Sequence, residues 1–396
     1  MSSSARALLC LFLAGCGAEV GAPDASASPD AGGSPDSGAT LDAAALADAG
    51  AFTDAAALPD AAPDADSGVV VDPWAAVDAL LEARVRTSTV QNLAVGLVVM
   101  DAQDHRVHEH MVNGFRADRM VAVASASKMI SGLVIFDLIR QNQLGLDQTT
   151  GDVLHWTGPK AAITLRHLLS FTSGMEPENT CTSRGGITLE ACVQTIEAVA
   201  PKAPPGTIFD YGSTHLAVAG RMAEVVTGKT WNQLFTDTLA TPLGLPSTVT
   251  YFTAPRQMNG TTNPLIAGGL RASIDQYLPM LALVFHRGQG PGALRIGTDA
   301  LFSEQAKQPY PVQIAGSPMA EMGFPYRYGL TAWLECATPD QGCGTVSSAG
   351  AFGFTPVADR DAGYYAILAM EQVGGAKISF PIEQALEPLI RAALGR

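Results

Sequence analysis

Residues 121–130 read VAVASASKMI. Ser125, Ser127 and Lys128 interrupt a run that otherwise holds only alanine, valine, methionine and isoleucine. The apolar character continues through KMISGLVIFDLIR and predicts a buried helix beginning near Ser125. On that helix Ser125 and Lys128 lie one turn apart and share a face, and Ser127 points elsewhere. A serine at a helix N-terminus sits beside unpaired N–H groups and the positive end of the dipole. Those groups can stabilise an oxyanion. A lysine sunk among Val123, Ala124, Met129 and Ile130 is desolvated, which favours the neutral amine that a serine nucleophile needs as its base. A helix-capping serine followed by a surface lysine gives the same letters, so S-x-x-K alone does not decide the chemistry.

The charge of this 396-residue chain is unevenly placed. Its formal net charge is −14. Residues 1–72 hold ten aspartates, Glu19 and one basic residue, Arg6, a net of −10, so the other 324 residues carry −4. There is no basic face or Lys/Arg run to attract nucleic acid. MSSSARALLCLFLAGCGAEV predicts an export signal: one arginine, a short apolar run over 7–14, then small residues. That run is too short to span a bilayer. Leu13-Ala14-Gly15-Cys16 resembles the bacterial lipobox, which implies a signal peptide over 1–15, acylation of Cys16, and an exported lipoprotein at the periplasm or cell surface. Residues 16–72 are rich in Ala, Asp, Gly, Pro and Ser, with aspartate at every sixth position from 24 to 72. A self-repelling disordered spacer is expected there. Four cysteines remain in two close pairs, Cys181 with Cys192 and Cys336 with Cys343. Two local disulfides suit an exported chain. Free buried thiols or a zinc site are the alternatives, although the spacing matches no standard ligand pattern.

A folded domain is expected over 73–396. DPWAAVDALLEARVRTS predicts an opening helix, and LAVGLVVMD (93–101) and RVHEHMVN (106–113) a hairpin. LTAWLEC (330–336), FGFTPVAD (352–359) and GYYAILAM (363–370) predict three late strands. A last helix is announced by Ser379 and Pro381, with Ile382, Leu386 and Ile390 along one stripe. The expected fold class is α/β (α+β): a five-stranded, mostly antiparallel sheet flanked by helices, with a helical lobe inserted between the early and late strands. His105, His108 and His110 are expected on a solvated hairpin face, without the third ligand that a metal site needs. No cofactor is expected.

Five stretches in order resemble the serine β-lactamase and penicillin-binding-protein superfamily, in particular its class C-like and esterase branch. They are FRADRMVAVASASK, ITLRHLLSFTSGM (163–175), PPGTIFDYGSTHLAVAG (204–220), AGGLRASIDQYLPMLALVF (267–285), and the segment from YGLTAWLEC to GYYAIL (328–367). The resemblance covers about 76–394. It implies Ser125 as nucleophile, Lys128 as its partner and Tyr211 as the proton-shuttling phenol, the phenolate being favoured by a nearby lysinium. It also implies the N–H groups of Ser125 and Ala351 as oxyanion donors. Two positions depart from the family. Ser213 stands where its Tyr-x-Asn motif has asparagine. Ser348-Ala349-Gly350 replaces its third motif, keeping the glycine and losing the cation that would pair with a substrate carboxylate. Arg360 is one replacement for that cation. Glu176-Pro177-Glu178-Asn179 has the wrong form for a water-activating acid. Trp333, Phe352 and Tyr328 suit either an acyl pocket or the sheet core. The expectation is a monomeric serine hydrolase, esterase-like on a small ester or amide. The alternatives are a β-lactamase or D-alanyl-D-alanine carboxypeptidase acting on a peptidoglycan-like acyl substrate, and a non-catalytic binding protein on the same fold.

Overall fold

The computed structural model describes residues 72–396, and these form one compact unit. The signal segment, Cys16 and the acidic spacer lie outside the described residues. Seven strands build the main sheet: β1 (Val95–Asp101), β2 (Arg106–Val112), β3 (Arg327–Tyr328), β4 (Trp333–Leu334), β5 (Thr345–Ser347), β6 (Thr355–Asp359) and β7 (Tyr364–Ala369). Their order is β2-β1-β7-β6-β5-β4-β3, antiparallel throughout. The expected architecture is present, with two strands more than the sequence indicated. β3 and β5 are two and three residues long, too short for alternation to register. The strand expected over 330–336 contracts to Trp333–Leu334.

Both faces of the sheet are covered. Along β7 all six residues are buried. Tyr364, Ala366 and Leu368 face one apolar cluster, and Tyr365, Ile367 and Ala369 face the other. That is the period of two that a pleated strand imposes. The first cluster is closed by α1 (Ala75–Arg86) and by the C-terminal helix. The second holds α2 (Ser127–Arg140), α3 (Thr214–Thr227), α4 (Ile274–Phe285) and the helical lobe. Helix α5 (Ala376–Ala393) begins three residues before the expected Ser379. Ser379 is buried and shares a hydrogen bond with Thr355 Oγ1 (2.8 Å) instead of capping the helix. Ile382, Leu386 and Ile390 form the buried stripe.

One expectation about side chains changes. His108 and His110 do not face solvent, because α1 lies over them. Asp78 is 2.7 Å from His108 Nε2 and 3.3 Å from His110 Nδ1, and Trp74 stacks on the His108 ring. Among the described residues, no three His, Cys, Asp or Glu side chains gather into a metal-holding group. Cys181–Cys192 and Cys336–Cys343 are both disulfide-bonded. No described helix is long and apolar enough to cross a membrane.

An acidic cluster lies between β4, β6 and α5. Gln384 Nε2 donates to Glu335 (2.6 Å) and to Glu383 (2.9 Å), and Tyr326 donates to Gln384 Oε1. Arg391 is shared by Asp359 (2.7 Å) and Glu387 (2.6 Å). Burial, reinforced by Glu387 and Asp359, raises Glu335 to about 7, and burial also holds Glu383 well above the carboxylate range. A carboxyl whose folded pKa is raised contributes stability below its unfolded value of 4.5 and loses it as pH climbs to about 7. His215, held near 4 by burial, works in the opposite sense between about pH 4 and 6.5. The two are separated by substitution. Glu335→Gln is expected to be near neutral in urea unfolding at about pH 5 and stabilising by about 1–3 kcal/mol at about pH 8. Equal effects at both pH values would refute the assignment.

Candidate active site

The opening question has a geometric answer. Ser125 is the one residue in 121–138 that is not buried. It sits in a tight turn over Ala124–Ala126, immediately before α2. Ala124 has φ +48°, a left-handed conformation that costs an alanine on the order of 1 kcal/mol. The turn is clamped from several sides. Val123 N–H donates to Leu270 O (3.2 Å), and Ser348 Oγ donates to Ser125 O (2.9 Å). A Cβ on Gly350 would lie 2.1 Å from Val123 O. Only glycine lets the strand end pass this close.

Lys128 is 2% exposed. Its Nζ donates to Ser125 Oγ (3.0 Å) and to Ala267 O (2.8 Å), and it lies 4.7 Å from the centroid of the Tyr211 ring. No carboxylate among the described residues makes an ion pair with it. Burial lowers it to about 8, partly offset by Glu178. At pH 7 about a tenth is then neutral. The shared face of residues 125 and 128 is as expected. The other serine is turned inward: Ser127 is fully buried, and its Oγ accepts from Leu270 N–H (3.1 Å).

Tyr211 follows the short strand Ile208–Asp210. Its N–H donates to Gly316 O (3.1 Å). Trp333 stacks on its ring at 5.1 Å, with Phe171 and Tyr328 edge-on at 5.3 and 5.7 Å. Trp333 and Tyr328 are thus core residues that fix the phenol, and only Phe352 of that trio is partly open to solvent. The expected phenolate is not favoured. Burial raises the phenol, and the Glu178 charge adds to that, against a hydrogen bond from Ser125. Burial outweighs the hydrogen bond, so the phenol keeps its proton in the free protein.

Two further residues are placed differently from expectation. Ser348 is 1% exposed with its hydroxyl committed to Ser125 O, so it braces the turn and does not line the cleft. Arg360 is bonded to Val284 O (2.8 Å) and Phe285 O (3.3 Å) at the end of α4, away from Ser125's turn. A cation does lie beside Phe352, namely Arg256, which the sequence did not single out. It is exposed, and its guanidinium lies 5.0 Å from the centroid of the Phe352 ring.

Glu178 is the residue that sequence reasoning passed over. Ser213 gives it two hydrogen bonds, from N–H (3.1 Å) and from Oγ (3.3 Å), both to Oε1. Thr214 N–H donates to Pro177 O (3.0 Å). A Cβ on Gly212 would lie 2.0 Å from Pro177 O, so the glycine of Tyr-Gly-Ser is what admits this loop. Burial raises Glu178 above its usual range, opposed by Lys128 and Ser213. The available signal was the pairing of that glycine with the Glu-Pro-Glu segment, 35 residues apart.

Three comparisons bear on this arrangement. The sequence pattern of the β-lactamase family matches residues 77–381. Penicillin-binding protein 4 of Amycolatopsis lactamdurans is 34% identical over 139 residues, 34% of this chain and 36% of that protein. The match thus spans about a third of the relative's length. A candidate β-lactamase of Bacteroides dorei superposes with a TM-score of 0.69 at 23% identity, covering 82% of this chain and 99% of its own. EstCE1, a hydrolase with promiscuous acyltransferase activity, has a TM-score of 0.61 at 20% identity, covering 81% and 100%. LovD of Aspergillus terreus, a simvastatin synthase, has a TM-score of 0.60 at 16% identity, covering 81% and 98%.

The two serines separate cleanly in a stability measurement. Ser127→Ala orphans the buried Leu270 N–H and is expected to cost about 1–3 kcal/mol in urea unfolding. A loss below about 0.3 kcal/mol would show that the tether is not made.

Proposed function

The chain belongs to the β-lactamase family, and from that membership we propose a serine hydrolase that passes an acyl group to Ser125 Oγ and then to water. The observation that carries this reading is the 3.0 Å contact between Lys128 Nζ and Ser125 Oγ. Neutral Lys128 takes the Ser125 proton as Oγ attacks the substrate carbonyl. The developing oxyanion is met by the N–H groups of Ser125 and Ala351. Tyr211, protonated at rest, gives its proton to the leaving group and is reprotonated from Lys128. In the second half Lys128 and Tyr211 draw a proton from water, which attacks the acyl carbon and frees Ser125.

An esterase-like action on small esters or amides fits best. The committed hydroxyl of Ser348 leaves no cation on the strand where a substrate carboxylate would dock. EstCE1 and LovD, which share the fold, act as a hydrolase with acyltransferase activity and as a synthase. One observation favours a second reading, a β-lactamase or D-alanyl-D-alanine carboxypeptidase. Arg256, beside Phe352, has no ion-pair partner among the described residues and offers such a carboxylate a charge from another loop. We further propose export as a lipoprotein acylated at Cys16, in keeping with the penicillin-binding relative.

In a short-chain nitrophenyl ester assay, turnover is expected to rise with pH through about 8 as Lys128 loses its proton. Lys128→Ala is expected to cost on the order of 10³-fold, and Ser125→Ala to abolish turnover. A pH-independent rate, or full activity in Ser125→Ala, would refute the mechanism. With a fluorescent penicillin, a stable adduct on Ser125 that disappears in Arg256→Ala would favour the second reading. Labelled palmitate should enter the full chain in cells and not its Cys16→Ser variant. Equal labelling of both would remove the anchor.

A further inference from the structure

We propose that Glu178 is a specificity residue that selects substrates bearing an ammonium group near the scissile carbonyl. The inference rests on the hydrolase reading above and names the substrate class of that same site.

Ser213 fills only Oε1 of Glu178. Oε2 makes no hydrogen bond among the described residues, and the side chain is half-buried and partly open to solvent. Lys202, in the loop before the strand Ile208–Asp210, is already held by Asp210 at 2.8 Å, with Glu176 at 3.7 Å. Lys128 is then the one positive charge whose influence on Glu178 is felt. In the resting protein that influence balances part of the carboxylate's charge.

Catalysis removes the balance. Lys128 must be neutral to accept the Ser125 proton, and at that moment Glu178, tied to Ser213 two residues along the chain from the Tyr211 ring beneath Lys128, loses that charge. An uncompensated carboxylate in a partly dry wall is costly. A substrate ammonium restores neutrality and, as a second positive charge near Lys128, disfavours the lysinium. A neutral substituent does neither, and a substrate carboxylate adds like-charge repulsion.

The placement is built into the fold. Gly212 lets the Pro177 carbonyl come close, and Thr214 N–H holds that carbonyl at 3.0 Å. Ser213, at the position of the family's asparagine, then donates both of its hydrogen-bonding groups to Glu178. A side-chain amide at that position would have been a neutral donor to substrate. Here the serine anchors an anion, which inverts the electrostatic character of this wall.

Three methyl esters differing only on nitrogen test the idea at about pH 6.5: glycine (ammonium), N-acetylglycine (neutral) and N-succinylglycine (carboxylate). In the wild-type protein kcat/KM is expected to fall in that order, with about tenfold between the first two. Glu178→Gln should bring the glycine ester within about twofold of the acetyl ester, whatever the change in rate common to both. A Gln variant that slows all three esters equally overturns the proposal, because the carboxylate would then serve the chemistry or the loop. So does a wild-type protein with no preference. Calorimetry on Ser125→Ala, with glycinamide and N-acetylglycinamide, is independent of turnover. A glycinamide preference that disappears in Ser125→Ala/Glu178→Gln supports the proposal even if no ester is hydrolysed, in which case the hydrolase reading falls alone. Equal affinity for the two amides overturns the proposal even if esters are turned over.

Discussion

A buried ammonium with two hydrogen-bond acceptors and, among the described residues, no ion-pair partner governs this molecule. Lys128 gives protons to Ser125 Oγ and Ala267 O and rests on the face of Tyr211. Such a group is tolerated only where its acceptors cannot move away. The surroundings are accordingly over-determined. The Ala267 carbonyl is held by a loop whose Leu270 N–H is tied to Ser127 and whose Leu270 O is tied to Val123. The serine turn is pressed by Gly350 and hooked by Ser348. The ring beneath the lysine is fixed by Trp333, Tyr328 and Phe171. Each contact reduces the freedom of a group that would otherwise relax toward water and return the lysine to its ordinary charge state.

The same constraint explains the two drifted motif positions. At Ser348 the change removes a cation from the strand and substitutes a brace for the nucleophile turn. At Ser213 the change removes an amide and substitutes an anchor for Glu178. Neither serine points its hydroxyl at open space. Both are absorbed into the scaffold, and the charges that the proposals above assign to the site come from elsewhere in the chain: Glu178 from the segment after the short helix Leu165–Leu169, and Arg256 from the loop before residues 267–270.

Local and repetitive features were legible in the sequence, and long-range ones were not. β1, β2, β6 and β7 announce themselves by apolar content and spacing, and α2 by its unbroken apolar run. The contact between Ser125 and Lys128 was equally plain, since the two are three residues apart in the chain. Glu178 depends on a glycine–carbonyl contact across 35 residues, which no window of sequence contains. β3 and β5 exist because β4 and β6 are there to pair with them. Ser379 reads as a helix cap because nothing local reveals that Thr355 will claim its hydroxyl. The protonation of Tyr211 follows from burial that only the assembled aromatic group creates.

The pairing of β1 with β7 joins Gly96 to Ala369 and Asp101 to Tyr364 across most of the domain. Closing so distant a contact costs loop entropy before any packing repays it. A chain still emerging from the ribosome or a membrane channel can form α2 and its neighbours, but it carries β1 as an unpaired apolar edge until the last thirty or so residues arrive. The sheet is therefore completed only when its β7 strand arrives.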